Sequence, residues 1–188
     1  DRGVREMLEK RGFRTQMLSA GGHPAVYAER RGASTATVLS YGHYDVQPPE
    51  PLEEWVSPPF AAEIREGTIY GRGVSDHKGS FMARLHGVDT LLALDGELPV
   101  TVKFLIEGEE EGGSPTLPEI VRQNADLLKA DYALYAGGSK DENNRPVVRC
   151  GQKGLLYVEL TGTGAARDLH SRHASVVPSP VWRLIHAL

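Results

Sequence analysis

Residues 78–106, KGSFMARLHGVDTLLALDGELPVTVKFLI, decide how the chain is read. Met82, Leu85, Val88, Leu91 and Leu92 recur at the spacing that lines apolar side chains along one face of a helix, and Gly96 follows as a C-terminal stop. The period then changes. Residues 99–106 form a nearly continuous apolar, β-branched run of the kind that fills a buried strand. A helix feeding a buried strand is one unit of an α/β repeat.

Working outward, the same alternation continues. Residues 36–41 are another buried strand, and its carboxyl end delivers His43. Upstream, Val4, Met7 and Leu8 mark an amphipathic helix before Gly12, and residues 13–20 and 24–29 read as strands. Pro48, Pro49, Pro51, Pro58 and Pro59 make residues 46–60 an ordered loop, with Trp55 and Phe60 against the body. A hairpin turns at Glu66 and Gly67. Downstream, Ser114 is expected to cap a helix with Pro115 at its first position, and residues 131–136 and 146–149 read as further strands of the same body. Strand, helix, strand, helix gives an α/β fold with a mostly parallel sheet. Residues 155–161 begin a new strand, and a helix from Pro178 goes with it. The domain boundary is therefore expected between residues 1–152 and 153–188.

Composition removes several functions. With 40% hydrophobic and 24% charged residues, the chain has the make-up of a soluble globular protein rather than a disordered one. A net charge of −4 and the absence of any basic run argue against nucleic acid as a partner. Cys150 is the only cysteine, so metal must be held by His, Asp and Glu. No apolar run approaches the roughly 18–20 residues that span a bilayer, and no charged-then-apolar leader opens the chain, so no membrane partner is expected and the cytoplasm is the simplest compartment. The chain lacks an initiator Met, and the apolar pattern of Val181, Leu184, Ile185 and Leu188 runs to its last residue, so a fragment of a longer protein is expected.

In a mainly parallel sheet, ligands bind beyond the carboxyl ends of the strands. His43 and Asp45 stand there at i and i+2, on one face of an extended chain, so that Asp45 can orient the His43 ring. Taken alone they also read as a surface pair. Asp76 lies in a glycine-bounded loop just before the helix, where, taken alone, it reads first as an N-cap. Glu107, Glu109, Glu110 and Glu111 crowd four carboxylates after the second buried strand, which is either a solvated acidic loop or a cation site. Together the three clusters are complementary. One carboxylate can bridge two cations roughly 3.5–4 Å apart, His and Glu can complete each side, and a second Glu can take a proton from water.

The motifs Gly42-His43-Tyr44-Asp45-Val46-Gln47-Pro48, Gly71-Arg72-Gly73-Val74-Ser75-Asp76-His77-Lys78-Gly79 and Glu107-Gly108-Glu109-Glu110-Glu111-Gly112-Gly113-Ser114 resemble the zinc metallopeptidase family of carnosinase, cytosolic nonspecific dipeptidase, aminoacylase and bacterial glutamate carboxypeptidase. The resemblance continues through Arg167-Asp168-Leu169-His170-Ser171 and Val177-Pro178-Ser179-Pro180, in family order. It implies a three-layer sandwich for residues 1–152 and the start of a smaller α+β lid or dimerisation domain in residues 153–188. By the same resemblance His43, Asp76 and Glu111 are zinc ligands, with Asp76 bridging two ions, and Mn or Co are alternatives to zinc. Glu110 is the general base and acid, Asp45 orients His43, and the peptide bond after Asp76 is cis. His170 is implied to reach the partner subunit's site in a homodimer and to steady the oxyanion. The implied reaction is hydrolysis of dipeptides or short peptides by zinc-activated water, with N-acyl-amino-acid deacylation or a noncatalytic binding role on the same fold as alternatives.

Three departures weaken the match, the smallest being His77, which stands where the family more often has a second Asp or an Asn. The family usually carries another acidic ligand where Ala136 and Gly137 stand here, and its last ligand, a histidine, comes from a later segment than residue 188. The isolated chain is therefore expected to bind zinc poorly and to be inactive. His77, His86, His173 and His186 have no matching role and read as structural or surface residues.

Overall fold

A strand that is apolar on both faces needs cover on both. The computed structural model, which describes residues 1–135, 139–151 and 153–188, shows how that cover is built. Helix α1 (Arg2–Glu9) leads into a hairpin of β1 (Arg14–Leu18) and β2 (Ala25–Arg30), followed by β3 (Thr37–His43). After the proline-rich loop come a small hairpin, β4 (Glu63–Arg65) and β5 (Thr68–Tyr70), and a wide helical turn at Val74–Gly79 that runs into α2 (Ser80–Asp95). Then follow β6 (Thr101–Glu107), α3 (Leu117–Gln123), α4 (Ala125–Leu128), β7 (Tyr132–Leu134), β8 (Ser139–Lys140) and β9 (Pro146–Val147). The chain forms two compact units, Asp1–Val148 and Arg149–Leu188.

The central sheet has the order β1-β2-β6-β3-β7. Strand β3 is parallel to both β6 and β7, and only β2 runs against the common direction. In the parallel register His43 faces Glu107, so the loops that leave β3 and β6 emerge side by side.

Alternation along β6 serves both layers. Phe104 and Ile106 pack with Val4, Leu8, Phe81, Leu85 and Val88 beneath α1 and α2. Leu105 points the other way, into a cluster with Tyr27, Ile120 and Leu128 beneath α3 and α4. Each such buried side chain contributes about 1.5–3 kcal/mol relative to exposure. The charged Lys103 is buried on the same strand because its Nζ donates to the carbonyls of Leu127 (2.8 Å) and Lys129 (2.7 Å) at the end of α4. Arg84 of α2 donates to the Tyr41 carbonyl (2.7 Å), Ser40 Oγ (3.1 Å) and the Tyr135 carbonyl (2.8 Å), tying α2 to β3 and to the exit of β7.

Local turns follow the sequence closely at two places. Glu66 and Gly67 both have positive φ and close the β4–β5 hairpin, and Gly96 takes the left-handed conformation that stops α2. Three expectations are corrected. Helix α3 starts at Leu117, with Pro118 in its first turn, because Ser114 has positive φ and its hydroxyl donates to Glu107 Oε1 (2.8 Å) instead of capping a helix. Pro146 and Val147 pair with β8 and not with the main sheet, because Asp141 closes a tight turn by accepting from the backbone of Asn143 and Arg145. Residues 155–161 form no strand. No described segment pairs with them, and a strand without a neighbour leaves its backbone groups to solvent.

The second unit holds a short 3₁₀ turn at Ser171–His173 and helix α5 (Pro180–Ala187), which begins after Ser179 with Pro180 in its first turn. No helix among the described residues is long and apolar enough to cross a membrane.

Candidate metal centre

The C-terminal ends of β3 and β6 and the turn before α2 bring the three motif clusters together. His43 ends β3, buried, and its Nε2 lies 2.9 Å from Asp76 Oδ1 and 3.7 Å from Glu110 Oε2. On the other edge of the ring, Nδ1 lies 3.2 Å from Asp45 Oδ1 and 3.3 Å from the Asp45 carbonyl. The ring therefore turns Nδ1 toward Asp45 and Nε2 toward the other carboxylates. The second Asp45 oxygen, Oδ2, accepts from the Glu111 backbone N–H at 2.9 Å, so one side chain links the loop after β3 to the loop after β6.

Asp76 has extended dihedrals inside the turn Val74–Gly79, and the Asp76–His77 peptide is cis, the state that the family resemblance implied. The Asp76 carboxylate is exposed, whereas the His77 side chain is buried. The His77 ring stacks on His43 with centroids 5.0 Å apart and planes 21° from parallel. Burial lowers the His77 pKa to about 4, with the positive Arg84 and then His43 adding to the effect, so this imidazole is neutral at physiological pH.

The four glutamates divide into two pairs. Glu107 is buried and accepts from the hydroxyls of Tyr41 and Ser114. Glu109 accepts from the His23 N–H (3.1 Å) and the Thr116 hydroxyl, joining the β1–β2 turn to the loop. Glu110 and Glu111, on the 3₁₀ turn Glu110–Gly112, face His43 and Asp76. Burial raises the Glu110 pKa above the usual carboxylate range, His43 opposes the rise, and the neighbouring negative charges of Glu111, Asp76 and Asp45 reinforce it.

One ligand atom each from His43, Asp76 and Glu111 lies within 4.8 Å of the others. An imidazole nitrogen with two carboxylate oxygens is a donor set suited to zinc and to neighbouring first-row cations. Glu110 stands beside this group without belonging to it.

The profile of peptidase family M20/M25/M40 matches residues 39–186. The chain belongs to this family. A beta-Ala-His dipeptidase of Rattus norvegicus is 36% identical over 137 residues, covering 72% of this chain and 28% of the relative. A succinyl-diaminopimelate desuccinylase of Methylococcus capsulatus is 33% identical over 190 aligned positions, covering 98% of this chain and 49% of the relative. Among solved structures, an M20 family metallo-carboxypeptidase from Sulfolobus solfataricus superposes with a TM-score of 0.86 at 43% identity, over 98% of this chain and 41% of that one. The chain spans less than half the length of each of these M20 relatives.

Of the residues singled out from the sequence, His43, Asp45, Asp76, Glu110 and Glu111 meet in the first unit. His170 belongs to the second unit, where it is exposed at the start of the Ser171–His173 turn and its Nδ1 accepts from the Arg172 N–H at 3.2 Å. It borders an open depression of about 360 Å³ lined also by Arg167, Asp168, Ser171, His173 and Pro178. Ala136 and Gly137, where an acidic ligand was missed, lie outside the described residues. Two residues near the centre carried no assigned role in the sequence. His77 was legible only through its place beside Asp76, and Gln47 through the i, i+2, i+4 alternation it shares with His43 and Asp45.

Proposed function

We propose that the protein carrying this chain hydrolyses amide bonds in dipeptides or short peptides at a two-zinc centre to which this chain contributes His43, Asp76 and Glu111. The observation that carries this reading is the convergence of those three ligand atoms within 4.8 Å, with the Glu110 carboxylate alongside. Bound zinc supplies Lewis acidity and lowers the pKa of water. Asp45 holds the His43 ring by Nδ1 and keeps Nε2 aimed at the cation position. Glu110 takes the proton from the attacking water and passes it to the departing amine, so the carboxylate is regenerated in each cycle. His170, on the second unit, is the donor assigned to the developing oxyanion. Residues 153–188 then begin a lid domain through which two copies pair, and the cytoplasm is the assigned compartment.

The test is Glu110→Gln in the whole protein. Zinc content and dipeptide binding are expected to persist while kcat falls by about 10²–10⁴. Turnover at the wild-type rate would exclude the mechanism.

A second reading, N-deacylation of acylated amino acids, draws on the desuccinylase relative, which aligns with nearly the whole chain. A panel of dipeptides beside N-succinyl and N-acetyl amino acids separates the two by kcat/KM.

A further inference from the structure

We propose that Gln47 is a positioning residue that fixes the Glu111 carboxylate for cation binding; the inference rests on the reading of Glu111 as a ligand. Gln47 Nε2 donates to Glu111 Oε2 at 2.9 Å and to the Glu111 carbonyl at 3.2 Å. A carboxamide has two N–H donors, and here both go to one residue, one to its side chain and one to its backbone. The clamp closes around the three side-chain torsions of Glu111. Meanwhile Asp45 Oδ2 holds the Glu111 N–H. Glu111 is therefore gripped at its amide, its carbonyl and one carboxylate oxygen, and Oε1 is left free of Gln47.

The chemistry of the clamp matters as much as its geometry. Ordering a flexible glutamate at the moment of binding costs conformational entropy, and a carboxylate already held in place avoids most of that cost. A neutral amide orients the carboxylate while leaving its full negative charge for a cation. A lysine at this position would instead neutralise that charge and compete with the metal. Gln47 lies two residues beyond Asp45 and four beyond His43, so one short segment at the exit of β3 presents a ligand, the residue that orients it and the clamp on a second ligand.

The test is zinc titration of the whole protein against a chromophoric chelator, comparing wild type with Gln47→Ala, Gln47→Met and Glu111→Ala. Gln47→Met keeps the side-chain length and removes both donors. Both Gln47 variants are expected to weaken zinc binding about 10–100-fold, the range usual for outer hydrogen-bond partners of metal ligands. The melting temperature of the metal-free protein should not move, since Gln47 is exposed. Wild-type zinc affinity in Gln47→Met, alongside weakened binding in Glu111→Ala, overturns the clamp and leaves the metal centre standing. Unchanged affinity in Glu111→Ala overturns both, because Glu111 is then not a ligand.

Discussion

The ring of His77 occupies the space that a side chain on Gly42 would need: a Cβ built there lies 2.6 Å from His77 Cε1 and 2.9 Å from Nδ1. The glycine that precedes His43 is therefore set by packing. Its bare α-carbon lets a buried imidazole lie flat against β3, and that imidazole is bonded in sequence to Asp76.

Gly42→Ala is expected to destabilise the fold by about 1–3 kcal/mol, the usual cost of overpacking a filled site. Because His77 must move, Asp76 moves with it, and zinc affinity should fall as well. Urea unfolding of the metal-free variant and a zinc titration check the two effects separately.

His77 also gives the metal-free protein a pH dependence. Its pKa falls from 6.5 in the unfolded chain to about 4 in the folded one, so the unfolded state binds the proton first. This contribution to stability is fully present above pH 6.5 and is lost as pH falls toward 4, an effect on the order of 3 kcal/mol. Denaturant titrations between pH 7.5 and 4.5 in the presence of chelator should show the decline, and His77→Asn should flatten it.

The division of the glutamates predicts opposite phenotypes for neighbouring residues. Ser114→Ala removes one of the two hydroxyls that Glu107 accepts from, and should cost about 1–3 kcal/mol because the carboxylate is buried. Glu110→Gln should leave the melting temperature of the metal-free protein within the range of a surface change and act on turnover alone. Thermal melts and kcat measured side by side on both variants decide the matter.

Zinc should stabilise the whole protein by about 2.7 kcal/mol at a hundred times its Kd, and chelator should reverse this. Asp45→Asn is expected to weaken binding about 10–100-fold, since it removes the charge beside His43 Nδ1 and one acceptor for the Glu111 N–H. Calorimetric scans with and without zinc provide the measurement. Equal zinc-induced shifts in wild type and Asp45→Asn would mean that Asp45 does not act on the centre.

Local pattern was enough to read helix α2, strands β3 and β6 and the stop at Gly96, because amphipathic period, buried apolar runs and a glycine cap are short-range signals. It was not enough for residues 155–161. An apolar run announces a strand, but a strand exists only where a neighbour accepts its hydrogen bonds, and neighbours are a property of the tertiary structure. The start of α3 failed for a related reason. Ser114 has the chemistry of a helix cap, and the buried Glu107 competes for its hydroxyl from seven residues away.

The sequence by itself determined the family and marked the residues proposed for its chemistry, since His43, Asp45, Asp76, Glu110 and Glu111 sit in ordered, specific motifs. It did not determine how four crowded carboxylates divide their work. The parallel pairing of β3 with β6 places His43 opposite Glu107, and the turn that follows carries Glu110 and Glu111 toward Asp76 while Tyr41, Ser114, Thr116 and the His23 N–H engage the other two. Like charges so close in sequence are indistinguishable by spacing alone. Only the fold, by giving each carboxylate its own donors or leaving it without them, separates a structural glutamate from one that faces the candidate metal centre.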